Sequence, residues 1–173
     1  MSLQLRKFTK KDITPLFEWF QSEREVLQWA GAALSWPLQR REFIDLIKLH
    51  SGAAPAREVW AVMLDGDMAA HFQISFNRRL ITTGLGRIAI APRFRGRSLA
   101  AELMDLILTQ AFSRAWVHRV DLMVYSHNDI AFRTYRRAGF VLEGTRRETT
   151  PIENELWNTH MMSLLRREFD KRT

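Results

Sequence analysis

The expected fold follows from one stretch, Gly86-Arg-Ile-Ala-Ile-Ala-Pro92-Arg-Phe-Arg-Gly96-Arg-Ser-Leu-Ala100. Residues 87–91 are largely apolar, which is typical of a strand buried on both faces. Pro92 ends this strand because proline has no N–H to donate to a sheet. From Leu99 onward the apolar residues recur at helical spacing. The stretch therefore predicts a buried strand, a tight turn and a helix, in that order.

The predicted turn is basic, with Arg95, Gly96, Arg97 and Ser98 directly before the helix. A helix N-terminus has unpaired N–H groups and the positive end of the helix dipole, so it suits an anion. An ordinary connection with solvated arginines explains the same residues equally well. The spacing alone leaves both interpretations open.

Two blocks of the sequence resemble the GNAT superfamily of N-acetyltransferases. Arg95 to Ala100 is similar to the signature Arg/Gln-x-x-Gly-x-Gly/Ala, a loop that wraps the pyrophosphate of acetyl-coenzyme A (acetyl-CoA) in that family. Residues 128–140 are similar to the family's block of Asn, Ala, Tyr and Gly-Phe. The one departure is Ser98, where glycine is usual, although serine also suits a helix N-cap.

The resemblance covers residues 86–166 well and residues 1–85 only loosely. Within the superfamily it is strongest to ribosomal-protein N-terminal acetyltransferases (RimJ/RimL-like). It implies a single α/β domain over residues 1–173, with a mixed central sheet of about seven strands flanked by helices. Helices on the acceptor side would lie at about residues 9–50, and the acetyl-CoA-binding core at about residues 81–147.

The resemblance also implies roles for single residues. The strand backbone would pair with the pantetheine arm of acetyl-CoA, and a backbone N–H near Ile90 would stabilise the oxyanion. Asn128 would bond to the same arm, and Tyr135 would be the catalytic acid for the leaving thiolate. A half-buried helical tyrosine without a catalytic role is the alternative. The implied cofactor-binding residues are Ile88, Ala89, Ile90, Arg95, Gly96, Arg97, Ser98, Leu99, Ala100, Asn128 and Tyr135.

The acceptor side is less defined. In the family the segment after the first helix lines the acceptor pocket, and Trp29 and Trp36 flank that segment here. Either one faces the substrate, or both pack in the core. A general base is not evident, because the strand at 87–91 contains no glutamate and His71 is better explained as a packed or surface residue. Three glutamates near the C-terminus are expected to be exposed near a loop: Glu148, Glu153 and Glu155.

Composition excludes several other classes. The chain has no cysteine, which rules out disulfides and a thiol nucleophile, and no histidine has metal-ligand spacing, so no metal is expected. With no apolar run of membrane-spanning length and no signal-peptide core, we expect a soluble cytoplasmic protein. The net charge of +7 is concentrated at residues 87–147, which hold eleven arginines against five acidic residues. This favours a polyanionic ligand, and the lack of a nucleic-acid motif favours a cofactor over nucleic acid.

The remaining elements follow from periodicity and turn residues. The sequence predicts strands at 3–8, 59–64, 68–76, 117–125, 139–143 and 156–165, and helices at 9–21, from Ser22, at 38–50 and at 127–138. The pair Asp65-Gly66 predicts a hairpin turn between the strands at 59–64 and 68–76.

Together these features predict an N-acetyltransferase that works by direct attack of an amine on acetyl-CoA in a ternary complex. The acceptor is expected to be an α-amine of a peptide, a protein or a small molecule. The alternatives are an acyl-CoA-binding regulatory module without activity and, ranked lower, a basic nucleic-acid-binding domain. A homodimer is left open.

Overall fold

The computed structural model describes residues 2–48 and 56–172 and contains one mixed seven-stranded sheet in the order β1-β2-β3-β4-β5-β7-β6. The strands are β1 (Gln4–Lys7), β2 (Arg57–Leu64), β3 (Asp67–Asn77), β4 (Thr82–Ile90), β5 (Arg119–Tyr125), β6 (Val141–Ile152) and β7 (Glu155–Leu165). The helices are α1 (Ile13–Phe17), α2 (Glu23–Ala30), α3 (Arg40–Lys48), α4 (Leu99–Ala111), α5 (Asp129–Arg137) and α6 (Arg166–Phe169). The predicted α/β class, with a mixed seven-stranded sheet flanked by helices, is confirmed.

The chain forms two compact units. The first unit is Met1–Ser75 with Gly86–Leu99, and the second is Phe76–Leu85 with Ala100–Thr173. Of the helices in the described ranges 2–48 and 56–172, none is both long and apolar enough to cross a membrane.

The first unit is built on the antiparallel strands β1, β2 and β3. The hairpin between β2 and β3 turns at Asp65 and Gly66, which both have positive φ (53° and 87°), as a tight two-residue turn requires. This confirms the hairpin predicted from the Asp-Gly pair. Buried side chains of the helices and strands form its core, among them Ile13, Leu16, Phe43, Phe72 and Ile74.

The first helical segment is shorter than predicted. A 3-10 turn at Lys10–Asp12 leads into α1, which ends at Phe17 rather than near Gln21. After Phe17 the chain tightens, because Trp19 N donates to Leu16 O and Phe20 N donates to Phe17 O, each over three residues. The backbone of Ser22 is then extended, and its Oγ accepts a bond from Glu25 N at 3.3 Å. A residue in that conformation cannot continue α1. The predicted cap of α2 at Ser22 is confirmed, whereas the predicted end of α3 at residue 50 lies outside the described residues.

In the second unit, β7 lies between β5 and β6 and is antiparallel to both. Strand β6 ends nine residues beyond the predicted strand at 139–143, which is therefore too short at its C-terminal end. Most residues of β6 are exposed, so its sequence shows no apolar alternation. The strand forms because its backbone pairs with β7, and this pairing leaves no periodic pattern of side chains in the sequence.

Strand β4 differs most from its prediction. It begins at Thr82, five residues before the expected start, and Thr82–Leu85 pair in parallel with β5. Residues 86–90 are half-buried, so the predicted burial on both faces is wrong. Arg87 has a φ of 49°, a left-handed conformation that interrupts a regular strand. The predicted end of the strand before Pro92 and the predicted start of α4 at Leu99 are confirmed.

Candidate functional site

The basic turn after β4 lies in the first unit and is anchored at its base. Ala91 N donates to Ala69 O at 2.9 Å, and Phe94 is buried. The Arg95 side chain folds back so that its Nε donates to Ile90 O at 3.0 Å. Arg97 lies over the Phe94 ring at 5.4 Å. These contacts fix the turn while its outer residues stay in contact with solvent.

The outer part of this turn is open. Residues 95–98 are all exposed, and a Cβ added at Gly96 would meet no atom within 4 Å. Gly96 and Ser98 have φ values of 73° and 60°. Ser98 is therefore left-handed rather than extended, which is not the usual backbone of a helix N-cap. The turn presents arginines and backbone N–H groups at a helix start, which is the chemistry that binds phosphate.

The second sequence block forms the start of α5 in the second unit. Asn128 is the N-cap of α5, and its Oδ1 accepts a bond from Ala131 N at 3.2 Å. Because the carbonyl oxygen of the side chain is used in this way, its Nδ2 group is the part that can bond to a ligand. Asn128 is half-buried, so a ligand can reach it.

Tyr135 lies on the last turn of α5. Its ring packs edge-on against Phe140, with centroids 6.0 Å apart. The residue as a whole is half-buried, but the packing around its hydroxyl group raises the pKa of Tyr135 to about 12. In the described part of the chain no hydrogen bond involves this hydroxyl. A phenol in this state is protonated at neutral pH and has a proton to donate.

The two tryptophans have different surroundings. Trp29, in the first unit, is half-buried and stacks on Phe20 at 4.3 Å, and its Nε1 donates to Arg87 O at 2.9 Å. Trp36 keeps 40% of its surface exposed. Trp29 thus acts mainly as a support for β4, whereas the ring of Trp36 remains accessible.

The residues weighed as bases do not provide one. His71 is fully buried beside Phe8, 4.9 Å between ring centroids. Burial and the charge of Arg87 lower the pKa of His71 to about 3, so it stays neutral. The three C-terminal glutamates are exposed, as predicted: Glu148, Glu153 and Glu155. Among the described residues there is no group of three or more metal-ligating side chains.

Sequence analysis missed one polar group of the first unit. Arg57, Gln73 and Arg87 come from three successive strands, and both arginines bond to the same amide oxygen of Gln73. The available signal was an arginine inside the apolar run at 87–91, where a charged residue needs a partner.

A sequence model of the acetyltransferase (GNAT) family matches residues 15–140, and the chain belongs to this family. The chain is 27% identical over 103 residues to the L-amino acid N-acetyltransferase AaaT of Escherichia coli K12, which covers 58% of this chain. The match spans 63% of the length of that protein.

Solved structures show the same fold. The spermidine N-acetyltransferase of Vibrio cholerae in complex with CoA and spermine superposes with a TM-score of 0.83 at 21% identity, covering 97% of this chain and 98% of that one. A dodecameric form of that enzyme in an intermediate state gives a TM-score of 0.75 at 19% identity, covering 99% and 98%.

Proposed function

We propose that the chain is an acetyl-CoA-dependent N-acetyltransferase in which an amine attacks the thioester directly in a ternary complex. The observation that carries this proposal is the exposed, arginine-rich turn between β4 and α4, with left-handed residues at Gly96 and Ser98. Its place in a chain of the acetyltransferase family supports the assignment. The name of the Escherichia coli relative, an N-acetyltransferase, is consistent with it.

The cofactor roles are assigned to the residues that the family pattern indicates. The backbone of residues 88–90 would pair with the pantetheine arm, and the turn at 95–98 with the start of α4 at Leu99 and Ala100 would hold the pyrophosphate. By the same family pattern, Asn128 Nδ2 would donate to the pantetheine arm. The wider assignment, a single acetyltransferase domain with acceptor-side helices at about 9–50 and a cofactor core at about 81–147, is part of this proposal.

In the reaction the amine nitrogen bonds to the carbonyl carbon, the C–S bond breaks, and the thiolate leaves. Tyr135 would donate its proton to that thiolate, since the phenol is protonated at neutral pH. The amine would lose its proton to solvent, since His71 is buried and its pKa of about 3 makes it too weak a base.

The absence of an evident base bears on the acceptor. A peptide α-amine has a pKa of about 7.7–8.0, whereas a lysine ε-amine has one of about 10.4. The difference in the neutral fraction at pH 7 corresponds to roughly 3 kcal/mol. We therefore favour an α-amine, as in the ribosomal-protein branch that the sequence resembles. Trp36, which is accessible, is favoured over Trp29 as an acceptor contact.

The test measures CoA release from acetyl-CoA with a panel of amines, including a peptide with a free N-terminus and its N-blocked, lysine-containing twin. The free N-terminus should react faster. Tyr135→Phe should lower kcat by roughly 10- to 1000-fold with little change in cofactor affinity, because only the proton donor is lost. The matched control is Tyr125→Phe, since Tyr125 is the other tyrosine of the chain and bonds to Thr150.

Other results would contradict the proposal in defined ways. A rise in melting temperature with acetyl-CoA but no acetylation of any amine would identify a regulatory acyl-CoA-binding module. Tight, strongly salt-dependent binding to DNA or RNA without any effect of acetyl-CoA would identify a nucleic-acid-binding domain.

A further inference from the structure

Arg57, Gln73 and Arg87 form a small polar cluster, the arginine pair, on strands β2, β3 and β4 of the first unit. Nη1 of Arg57 lies 3.3 Å from Gln73 Oε1, and Nη1 of Arg87 lies 2.9 Å from the same oxygen. Both arginines are half-buried, so part of each guanidinium contacts solvent. The uncharged amide oxygen of Gln73 thus accepts hydrogen bonds from two positively charged guanidinium groups.

The arginine pair lacks a counter-charge. Within residues 2–48 and 56–172, neither arginine bonds to a carboxylate, and Arg87 Nε is buried with no partner at all. The undescribed segment 49–55 contains no acidic residue. Arg6, by contrast, bonds to both oxygens of Asp12.

This arrangement is unfavourable unless an anion joins it. A guanidinium has five N–H donors, and Gln73 accepts only one from each arginine. Burial and the neighbouring Arg57 lower the pKa of Arg87 to about 10, and burial lowers the pKa of Arg57. Arg87 is still charged at neutral pH. The paired N–H groups of the two guanidinium groups match the two oxygens of a carboxylate. One carboxylate would therefore accept hydrogen bonds from both arginines.

The position of the pair connects it with the reaction. Arg87 directly precedes residues 88–90, the backbone proposed above to pair with the cofactor arm. Trp29 Nε1 donates a hydrogen bond to Arg87 O at 2.9 Å, and the backbone of Arg87 is left-handed. The cofactor phosphates are assigned to the turn at 95–98, further along the chain, so the arginine pair is available to a different anion.

We propose that the arginine pair binds a carboxylate of the acceptor, so that the acceptor is a small amine carrying a carboxylate group, as a free amino acid does. This inference rests on the proposed function, because it names the acceptor of that reaction. It disfavours polyamines, whose cationic groups the two guanidinium groups would repel.

The experiment compares L-α-amino acids with the corresponding α-amino amides, which keep the side chain and replace the carboxylate by a neutral group. The amide has the less basic amine, so protonation alone would make it the better acceptor. The acids should nevertheless have a higher kcat/KM, by roughly 10-fold or more. Arg57→Gln and Arg87→Gln should each lower kcat/KM for the acids by roughly 10- to 100-fold, mainly through KM, and change that for the amides by less than about 2-fold.

The matched control is Arg79→Gln, which removes one positive charge from an exposed loop and should leave both rates unchanged. Arg57→Lys and Arg87→Lys keep the positive charge and should restore part of the preference for acids over amides. These variants keep the test decisive if the glutamine variants do not fold. Equal rates for wild-type acid and amide, or variants that affect both equally, would overturn the proposal. Inhibition by inorganic phosphate with no preference for acids would show a phosphate site instead, and would also overturn it.

A separate binding measurement distinguishes failure of this inference from failure of the proposed function. If no amine of either class is acetylated, the proposed function fails. The melting temperature with added amino acid or amide then reports on the carboxylate site alone. A rise with the acid that is absent with the amide, smaller in Arg87→Lys and absent in Arg87→Gln supports the site, and no rise with the acid overturns it.

Discussion

At the scale of single residues, Ser98 occupies a position that its side chain disfavours. Its φ of 60° places it in the left-handed region, where residues other than glycine carry a penalty of about 1–2 kcal/mol. The same turn has Gly96 at a φ of 73°, where glycine adopts the conformation freely. The family's preference for glycine at the position of Ser98 thus has a conformational reason.

Ser98→Gly should therefore stabilise the protein by about 0.5–1 kcal/mol, because relief of the left-handed penalty exceeds the larger backbone entropy that glycine loses on folding. Acetyl-CoA affinity should be preserved or increased, as the hydroxyl no longer crowds the phosphates. Urea unfolding and the acetyl-CoA-induced shift in melting temperature measure the two effects.

The control is Gly96→Ala, which adds a Cβ at the other left-handed residue of the same turn. A Cβ at Gly96 meets no atom within 4 Å, so any loss of stability reports backbone conformation alone and should be about 1–2 kcal/mol. Equal stability of all three proteins would show that the left-handed residues carry no strain.

At the scale of secondary-structure elements, sequence patterns predicted the parts of the fold that apolar periodicity or a turn or capping residue marks. The hairpin of β2 and β3, the start of α4 and the cap of α2 at Ser22 all followed from periodicity and turn residues. The full length of β6 did not, because its pairing to β7 is a backbone interaction between mostly exposed residues. The arginine pair escaped detection for a related reason, since strand register brings together residues 14 and 16 positions apart.

The start of α5 combines a structural role with a proposed binding role in one side chain, and these can be separated. Asn128→Ser should keep the N-cap of α5, because serine is also a good cap, while it removes the amide proposed to bond to the cofactor. We expect weaker acetyl-CoA binding, by roughly 3- to 10-fold, with a melting temperature close to that of the wild type.

Asn128→Ala removes both functions and should also destabilise the protein by about 1 kcal/mol. Calorimetric titration with acetyl-CoA and thermal unfolding of the two variants separate the roles. Undiminished cofactor affinity in both variants would limit Asn128 to capping.

At the scale of the whole molecule, stability should depend on pH through His71. Its pKa is about 3 in the folded protein and about 6.5 when unfolded, so below pH 6.5 the unfolded chain binds a proton that the folded protein excludes. The stabilisation is complete above pH 6.5 and is lost progressively as the pH falls toward 3. Between pH 7 and pH 5 the loss from this residue should be about 2 kcal/mol.

His71→Leu should remove that part of the pH dependence, because leucine does not titrate in the buried site. Urea unfolding of both proteins between pH 5 and 7 measures the difference in slope, and the range of pH 7.5–9, where the slopes should agree, is the reference. The same slope in both proteins at acid pH would show that His71 takes up a proton in the folded state.

The strand order has a consequence for the sequence of events during synthesis. A ribosome produces the chain from its N-terminus, so β6 emerges before β7. In the described part of the chain, however, β6 joins the sheet only through β7. Until residues 155–165 have been made, the open edge of β5 and the whole of β6 lack their partner, and the nascent chain carries two unpaired edges at once. Synthesis of β7 then supplies the missing partner of both strands at once. The sheet therefore cannot be completed before its last strand has been made.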